Sequence, residues 1–99
     1  MSIRVEWPKE GVAVVVIDAP STNNALTGDM LTGLAAAFRG LRADDATRVA
    51  VLTGGGSRAF CAGIDLRHAS SVFKMDERDV DNDPVFQMEH ASFPIVGAV

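Results

Sequence analysis

Two short runs without a single polar residue, Val12-Ala13-Val14-Val15-Val16-Ile17 and Val49-Ala50-Val51-Leu52, constrain the fold of this chain more than any other feature. A strand with one face in water alternates apolar and polar; these runs do not, so the first reads as a central strand covered on both sides. Between them lies a helical pattern. Met30, Leu31, Leu34, Ala37, Phe38 and Leu41 fall on one stripe, with Thr27 placed to cap the start and Asp29 in the first turn. Gly33 and Gly40 weaken the helix slightly, and Ala43-Asp44-Asp45-Ala46-Thr47 closes it. The expectation is an α/β chain with both strands in one sheet and the Met30–Leu41 stripe packed on it.

The flanks add elements of the same kind. Ile3-Arg4-Val5-Glu6-Trp7 alternates as a half-buried edge strand does, and Pro8-Lys9-Glu10-Gly11 supplies the turn that makes a hairpin with the Val12 run. Asp18-Ala19-Pro20-Ser21-Thr22-Asn23-Asn24 reads as a loop. A second helix, roughly Val85 to Ala91, leads through Pro94 into a last strand, while Met75 to Asp83 is acidic, aperiodic and expected to be exposed or mobile. A final Pro94-Ile95-Val96-Gly97-Ala98-Val99 is strand-like sequence that needs neighbours, so the 99 residues are expected to be a fragment of a longer chain.

Charge and cysteine content narrow the partners. Thirteen acidic against nine basic residues, with the basic ones scattered, argue against nucleic acid. The longest apolar run is too short to span a bilayer, and the first residues lack the apolar core of a signal peptide, so no membrane partner is expected. One cysteine excludes an internal disulfide and fits a reducing, cytoplasmic setting.

The chemistry concentrates after the second apolar run. Gly54-Gly55-Gly56 leads into Ala59-Phe60-Cys61-Ala62-Gly63-Ile64-Asp65-Leu66, where Cys61, Ala62 and Gly63 carry too little side chain to cover their peptide groups. Uncovered N–H groups are what an enzyme needs to hold a developing oxyanion. Gly54-Gly55-Gly56-Ser57-Arg58-Ala59 matches a G-x-G-x-x-A dinucleotide fingerprint after a strand, but Gly63 interrupts the long helix that such a site requires. Cys61 reads as a small buried thiol, since no cation is placed to make it a nucleophile. His68 and His90 stand apart from any metal-ligand spacing and read as ordinary helix residues, and the acidic stretch lacks the order of a calcium loop.

In order along the chain, Asn24-Ala25-Leu26, the helical stripe, Arg48-Val49-Ala50-Val51-Leu52-Thr53-Gly54, Ala59 to Leu66 and Phe93 to Val99 resemble the first half of the enoyl-CoA hydratase/isomerase (crotonase) family. The resemblance covers nearly the whole chain. It implies the N-terminal ββα units of a crotonase (ClpP-like) fold, truncated, with residues 1–99 forming part of an acyl-CoA-binding domain. It further implies a thioester substrate whose oxygen is held by two peptide donors, one of them the N–H of Ile64. By position, Ala62 would lie against the adenine end of coenzyme A and the Ala25-Leu26 loop would line the pantetheine tunnel. Gly63, Asp65 and Leu66 belong to the same turn, Asp65 more as a helix cap than as a reactant.

The family's second donor, its catalytic glutamates and its closing C-terminal helix have no counterpart in these residues. No cofactor is implied beyond the coenzyme A of the substrate; a homotrimer or hexamer and the complementary C-terminal segment are the implied partners. Hydratase, isomerase, dehalogenase, decarboxylase and hydrolase chemistry all remain open, with hydratase/isomerase of fatty acid metabolism the expectation. The competing readings are a non-catalytic truncated paralogue or interaction module, and the nucleotide-binding domain. Asp18 stands where many family members carry Asn-Arg-Pro-like residues, a departure not expected to touch the pocket.

Overall fold

A computed structural model describes residues 2–57, 60–61 and 80–98. Strand β1 (Ser2–Lys9) pairs antiparallel with β2 (Val12–Asp18), with a register irregularity between Glu6 and Lys9. Helix α1 (Gly28–Ala43) then carries the chain to β3 (Val49–Gly54), which lies parallel to β2 with Val12 opposite Val49 and Ile17 opposite Gly54. Helix α2 (Pro84–Glu89) precedes β4 (Ile95–Ala98), parallel to β3. The described strands form one sheet in the order β1-β2-β3-β4.

The hairpin is tighter than the turn residues imply. Pro8 and Lys9 belong to β1, and the reversal falls on Glu10-Gly11, where Gly11 takes φ +80°. An added side chain at Gly11 would be strained by that φ and would also meet the Arg48 stem at 3.1 Å. The Gly11 carbonyl accepts from the N–H groups of both Arg48 and Val49, which ties the hairpin turn to the start of β3.

Helix α1 begins as its sequence dictates. The Thr27 hydroxyl accepts from the Met30 N–H at 3.2 Å, and Asp29 faces the positive end of the helix. Its inner face presents Met30, Leu34, Ala35, Phe38 and Leu41, all buried. Met30, Leu34, Phe38 and Leu41 pack with Ala13, Val15, Ile17, Ala19, Ala50 and Phe93 in one core, and Leu31 and Ala37 flank it as half-buried residues.

Two expectations need correction, on the burial of β1 and β2, and two gain detail. Strand β1 is not half-buried along its length: Ile3 packs on the core, but Val5 and Trp7 are 39% and 45% exposed. Its alternation has a layer to match only at the Ile3 end, where α1 passes with Gly33 close to that side chain. In β2, Ala13, Val15 and Ile17 point into the core, but on the other face only Val16 is buried while Val12 and Val14 are half-buried. The Asp18–Asn24 loop contains a 3-10 turn over Pro20–Thr22, with Asn23 and Asn24 following in the left-handed region at φ 54° and 60°. Finally, the end of the acidic stretch is ordered: Val80–Asn82 is a 3-10 turn, and Asp83 caps α2 by accepting from the N–H groups of Val85 and Phe86. That cap starts α2 at Pro84, one residue before the sequence-based boundary, and the helix ends at Glu89. The rest of the Met75–Asp83 reading lies outside the described residues.

Candidate functional site at the carboxyl ends of the parallel strands

In an open α/β sheet, ligands bind at the carboxyl ends of the parallel strands, where the loops gather. Strand β2 ends at Asp18 and β3 at Gly54, and a buried side chain joins the two loops that follow. Asn24 is wholly inaccessible to solvent. Its carboxamide oxygen accepts from the Ala19 N–H at 2.8 Å, and its nitrogen donates to the Gly55 carbonyl at 3.0 Å. The Asn24 backbone N–H also donates to the Ala19 carbonyl, at 2.8 Å, closing the 3-10 loop upon itself.

Gly55 is held from its other side too, its N–H donating to the Ile17 carbonyl at 2.8 Å. An added Cβ on Gly55 would sit 2.6 Å from Asp18 Oδ1, and one on Gly56 would sit 2.8 Å from Pro20 Cβ. Glycine is therefore required by the closeness of the β2 loop at Gly55, and at Gly56 also by its φ of +74°. Asp18, which the sequence reading placed clear of the pocket, lies directly against the glycine exit of β3. The same carboxylate accepts from Arg4 Nε at 3.0 Å, and Arg4 also pairs with Glu6. The hydrogen bond that Arg4 donates to Asp18 is the first cause that raises the Arg4 pKa, which leaves a group already charged unchanged in charge.

Of the sequence-predicted site residues, Ala25 and Leu26 are brought to this place. Ala25 is buried and Leu26 packs half-buried against the core. Both follow directly on the Asn24 clamp. Ala62, Gly63, Ile64, Asp65, Leu66 and His68 lie outside the described residues. Phe60 and Cys61, which lead into that segment, are half-buried, and Cys61 packs on the core rather than being buried within it.

His90 is not part of this cluster. It caps α2, stacks on Phe86 with ring centroids 4.0 Å apart, and its Nδ1 meets the Phe86 carbonyl at 2.9 Å. Since a carbonyl can only accept, that nitrogen carries the proton. The ring lines a depression of about 450 Å³ with Arg39, Arg42, Ala43 and Ser92, residues that precede β3 and β4 and so lie toward the amino ends of those strands, away from the Asn24 clamp. Nearby, Arg42 donates to the buried Gln87 carboxamide at 2.6 Å. Among the described residues no three His, Cys, Asp or Glu side chains converge as a metal site needs.

The sequence reading missed Asn24 as more than part of a motif. Its signal was indirect: two consecutive asparagines, the non-glycine residues that best tolerate the left-handed region, stand just before a helix cap. The β2–β3 pairing also takes one donor from the dinucleotide reading. A phosphate site needs free glycine N–H groups, and that of Gly55 is committed to Ile17.

Fold and loops together define an α/β protein with a β2-α1-β3 crossover and a candidate site at the strand ends, stapled across the crossover. The enoyl-CoA hydratase/isomerase family model matches residues 8–99. Over 97 residues the chain is 44% identical to a probable peroxisomal enoyl-CoA hydratase of Arabidopsis thaliana, covering 98% of this chain and 36% of that protein. Among solved structures, an enoyl-CoA hydratase/isomerase of Mycobacterium paratuberculosis superposes with a TM-score of 0.81 at 28% identity, covering 99% of this chain and 41% of that one. A putative enoyl-CoA hydratase/carnithine racemase of Magnetospirillum magneticum AMB-1 does so with a TM-score of 0.83 at 31% identity, covering 98% and 37%. The chain belongs to the enoyl-CoA hydratase/isomerase family and has the fold of that family's N-terminal part. It spans between 36% and 41% of the length of these relatives. No helix among the described residues is long and apolar enough to cross a membrane.

Proposed function

We propose that this chain supplies the first half of an active site that processes acyl-CoA thioesters by way of a stabilised enolate. One observation carries the reading: Asn24 staples the Ala25-Leu26 loop to Gly55, so the two segments that the family resemblance assigns to the ligand leave one point in the fold. The first follows Asn24 directly. The second is the chain that continues from the Gly54–Gly56 exit of β3 toward Ile64.

In this reading the Ile64 N–H donates to the thioester carbonyl oxygen. As a nucleophilic oxygen adds to the β-carbon of an enoyl thioester, the double-bond electrons move to the thioester carbonyl oxygen, and an aimed peptide dipole stabilises the charge there without having to reorient. Protonation at the α-carbon then completes hydration. Isomerisation passes through the same enolate by removal and return of one proton. Both need carboxylates for proton transfer, and these, with the second peptide donor, would come from the remainder of a protein of the relatives' length. Hydratase or isomerase chemistry is the form that the relatives' names favour; fatty acid metabolism is its proposed setting, and the 99 residues alone would be inactive. Asp65 caps the turn after the donor, while Ala62, Gly63 and Leu66 border the coenzyme. Assembly as a trimer or hexamer completes the proposal, with coenzyme A entering only as part of the substrate. The lone thiol fits a reducing compartment such as the cytoplasm.

The test compares two variants in a protein of the relatives' full length. Ile64→Pro removes the donor itself, whereas Ile64→Val retains it. With circular dichroism and melting point matched to the parent, the proline variant should lose turnover of an enoyl-CoA by a factor of 100 or more, as roughly 3 kcal/mol of oxyanion stabilisation implies. The valine variant should stay near the parent. Equal activity of the two removes Ile64 from the mechanism, and calorimetric binding of NAD without acyl-CoA overturns the ligand class.

A further inference from the structure

A primary amide wholly removed from solvent must have its donors and acceptor satisfied, and the arrangement around Asn24 fixes which atom faces which partner. Oδ1 meets an N–H and Nδ2 meets a carbonyl. Turning the amide over would set donor against donor and acceptor against acceptor. The residue also holds φ 60°, where its own backbone N–H can close the loop on Ala19. Gly55, 31 positions further on, is thereby gripped through both its polar groups, by Asn24 at the carbonyl and by Ile17 at the N–H.

We infer that Asn24 is a positioning residue for thioester binding: its Nδ2–H bond to Gly55 sets the distance between the Ala25-Leu26 wall and the glycine exit of β3. This rests on the reading of Ala25-Leu26 as a wall of the pantetheine tunnel. It adds that the width of the site depends on a side-chain amide buried behind the loops rather than only on the residues that line it. Capping and core packing hold the other end of the Ala25-Leu26 segment, through Thr27 and Leu26. The Asn24 bond is a tie that, among the described residues, crosses from one loop to the other.

The discriminating variant is Asn24→Asp, which keeps size, shape and the acceptor for Ala19. Ionised, its second oxygen faces the Gly55 carbonyl oxygen, and two acceptors repel. Protonated, the same oxygen donates and restores the bond. Burial and the facing carbonyl both disfavour the charged form, so the carboxyl pKa of the variant is raised. The sign follows directly: function is lost above that pKa and regained as pH falls through it. Asn24→Gly tolerates the backbone angle but lacks the bond at every pH.

In a protein of the relatives' full length, Asn24→Asp at neutral pH should raise KM for an enoyl-CoA at least tenfold, with a smaller effect on kcat. The variant-to-parent KM ratio should fall back toward one in acid; that of Asn24→Gly should not change. Amide exchange in peptides spanning residues 19–26 and 54–57 should be at least tenfold faster in both variants at neutral pH, with 28–43 unchanged. A KM ratio for Asn24→Asp that is flat with pH overturns the inference, as does unaltered exchange over 54–57. If Asn24→Asp is unfolded at neutral pH, refolding in acid with affinity restored supports the placement, and unfolding at every pH refutes it. If the parent itself neither turns over nor binds acyl-CoA, the proposed ligand is wrong, and the exchange measurement alone then decides whether Asn24 ties the two loops.

Discussion

Gly55→Ala tests the closeness of the two loops in a way that can be worked out atom by atom. The added methyl would lie 2.6 Å from Asp18 Oδ1 and 3.3 Å from Asp18 Cα. Comfortable contact for such atoms is about 3.5 Å. The backbone cannot retreat easily, because Gly55 is hydrogen-bonded through its N–H to Ile17 and through its carbonyl to Asn24. The carboxylate must swing aside instead, which breaks its 3.0 Å bond from Arg4. Overpacking of this kind costs about 1–3 kcal/mol. Because φ at Gly55 is not in the left-handed region, the reduced entropy of the unfolded chain offsets about 0.4–1 kcal/mol of that. The net expectation is a loss of about 1–2 kcal/mol. In an Asp18→Ala background the 2.6 Å obstacle is gone and only the milder contact to Cα remains. The same glycine substitution should then cost less than about 1 kcal/mol, a coupling of roughly 1 kcal/mol between the sites. Four proteins, namely the parent, each single variant and the double variant, unfolded in urea at equilibrium, supply the cycle. Equal cost of Gly55→Ala in both backgrounds would refute the reasoning, since the clash would then not be with the Asp18 carboxylate.

Two further outcomes follow from the core. Phe38 is fully buried at the centre of the α1–sheet interface, so Phe38→Ala should destabilise by about 3–5 kcal/mol in the same urea assay. Among the described residues the buried Thr47 hydroxyl has no hydrogen-bond partner, so Thr47→Val, which keeps the shape, should be neutral or raise stability by up to about 1 kcal/mol; a clear fall in melting temperature would contradict this.

Much of the local structure was legible in the sequence because it is set by near neighbours. Thr27 caps α1 through an N–H three residues on, the Met30–Leu41 stripe repeats at the helical period, and the unbroken apolar run of β2 announces an internal strand. The family resemblance rests on the same kind of information, since short motifs in fixed order are sequence by nature. It also pointed to Ala25 and Leu26, which the fold brings to the strand ends.

Only the tertiary structure decided what depends on contacts between distant residues. Val5 and Trp7 alternate like buried strand residues, yet α1 covers only the Ile3 end of β1, and helix placement is not encoded in the strand itself. Asp83 looks like one acid among many until α2 begins beside it and turns its carboxylate into a cap. Asn24 and Gly55 read singly as loop asparagine and loop glycine. They become donor and acceptor because parallel pairing of β2 with β3 lays the end of one strand beside the end of the other, with Ile17 opposite Gly54. A hydrogen bond spanning 31 residues has no local signature, and once its atoms are removed from water it has to be satisfied there.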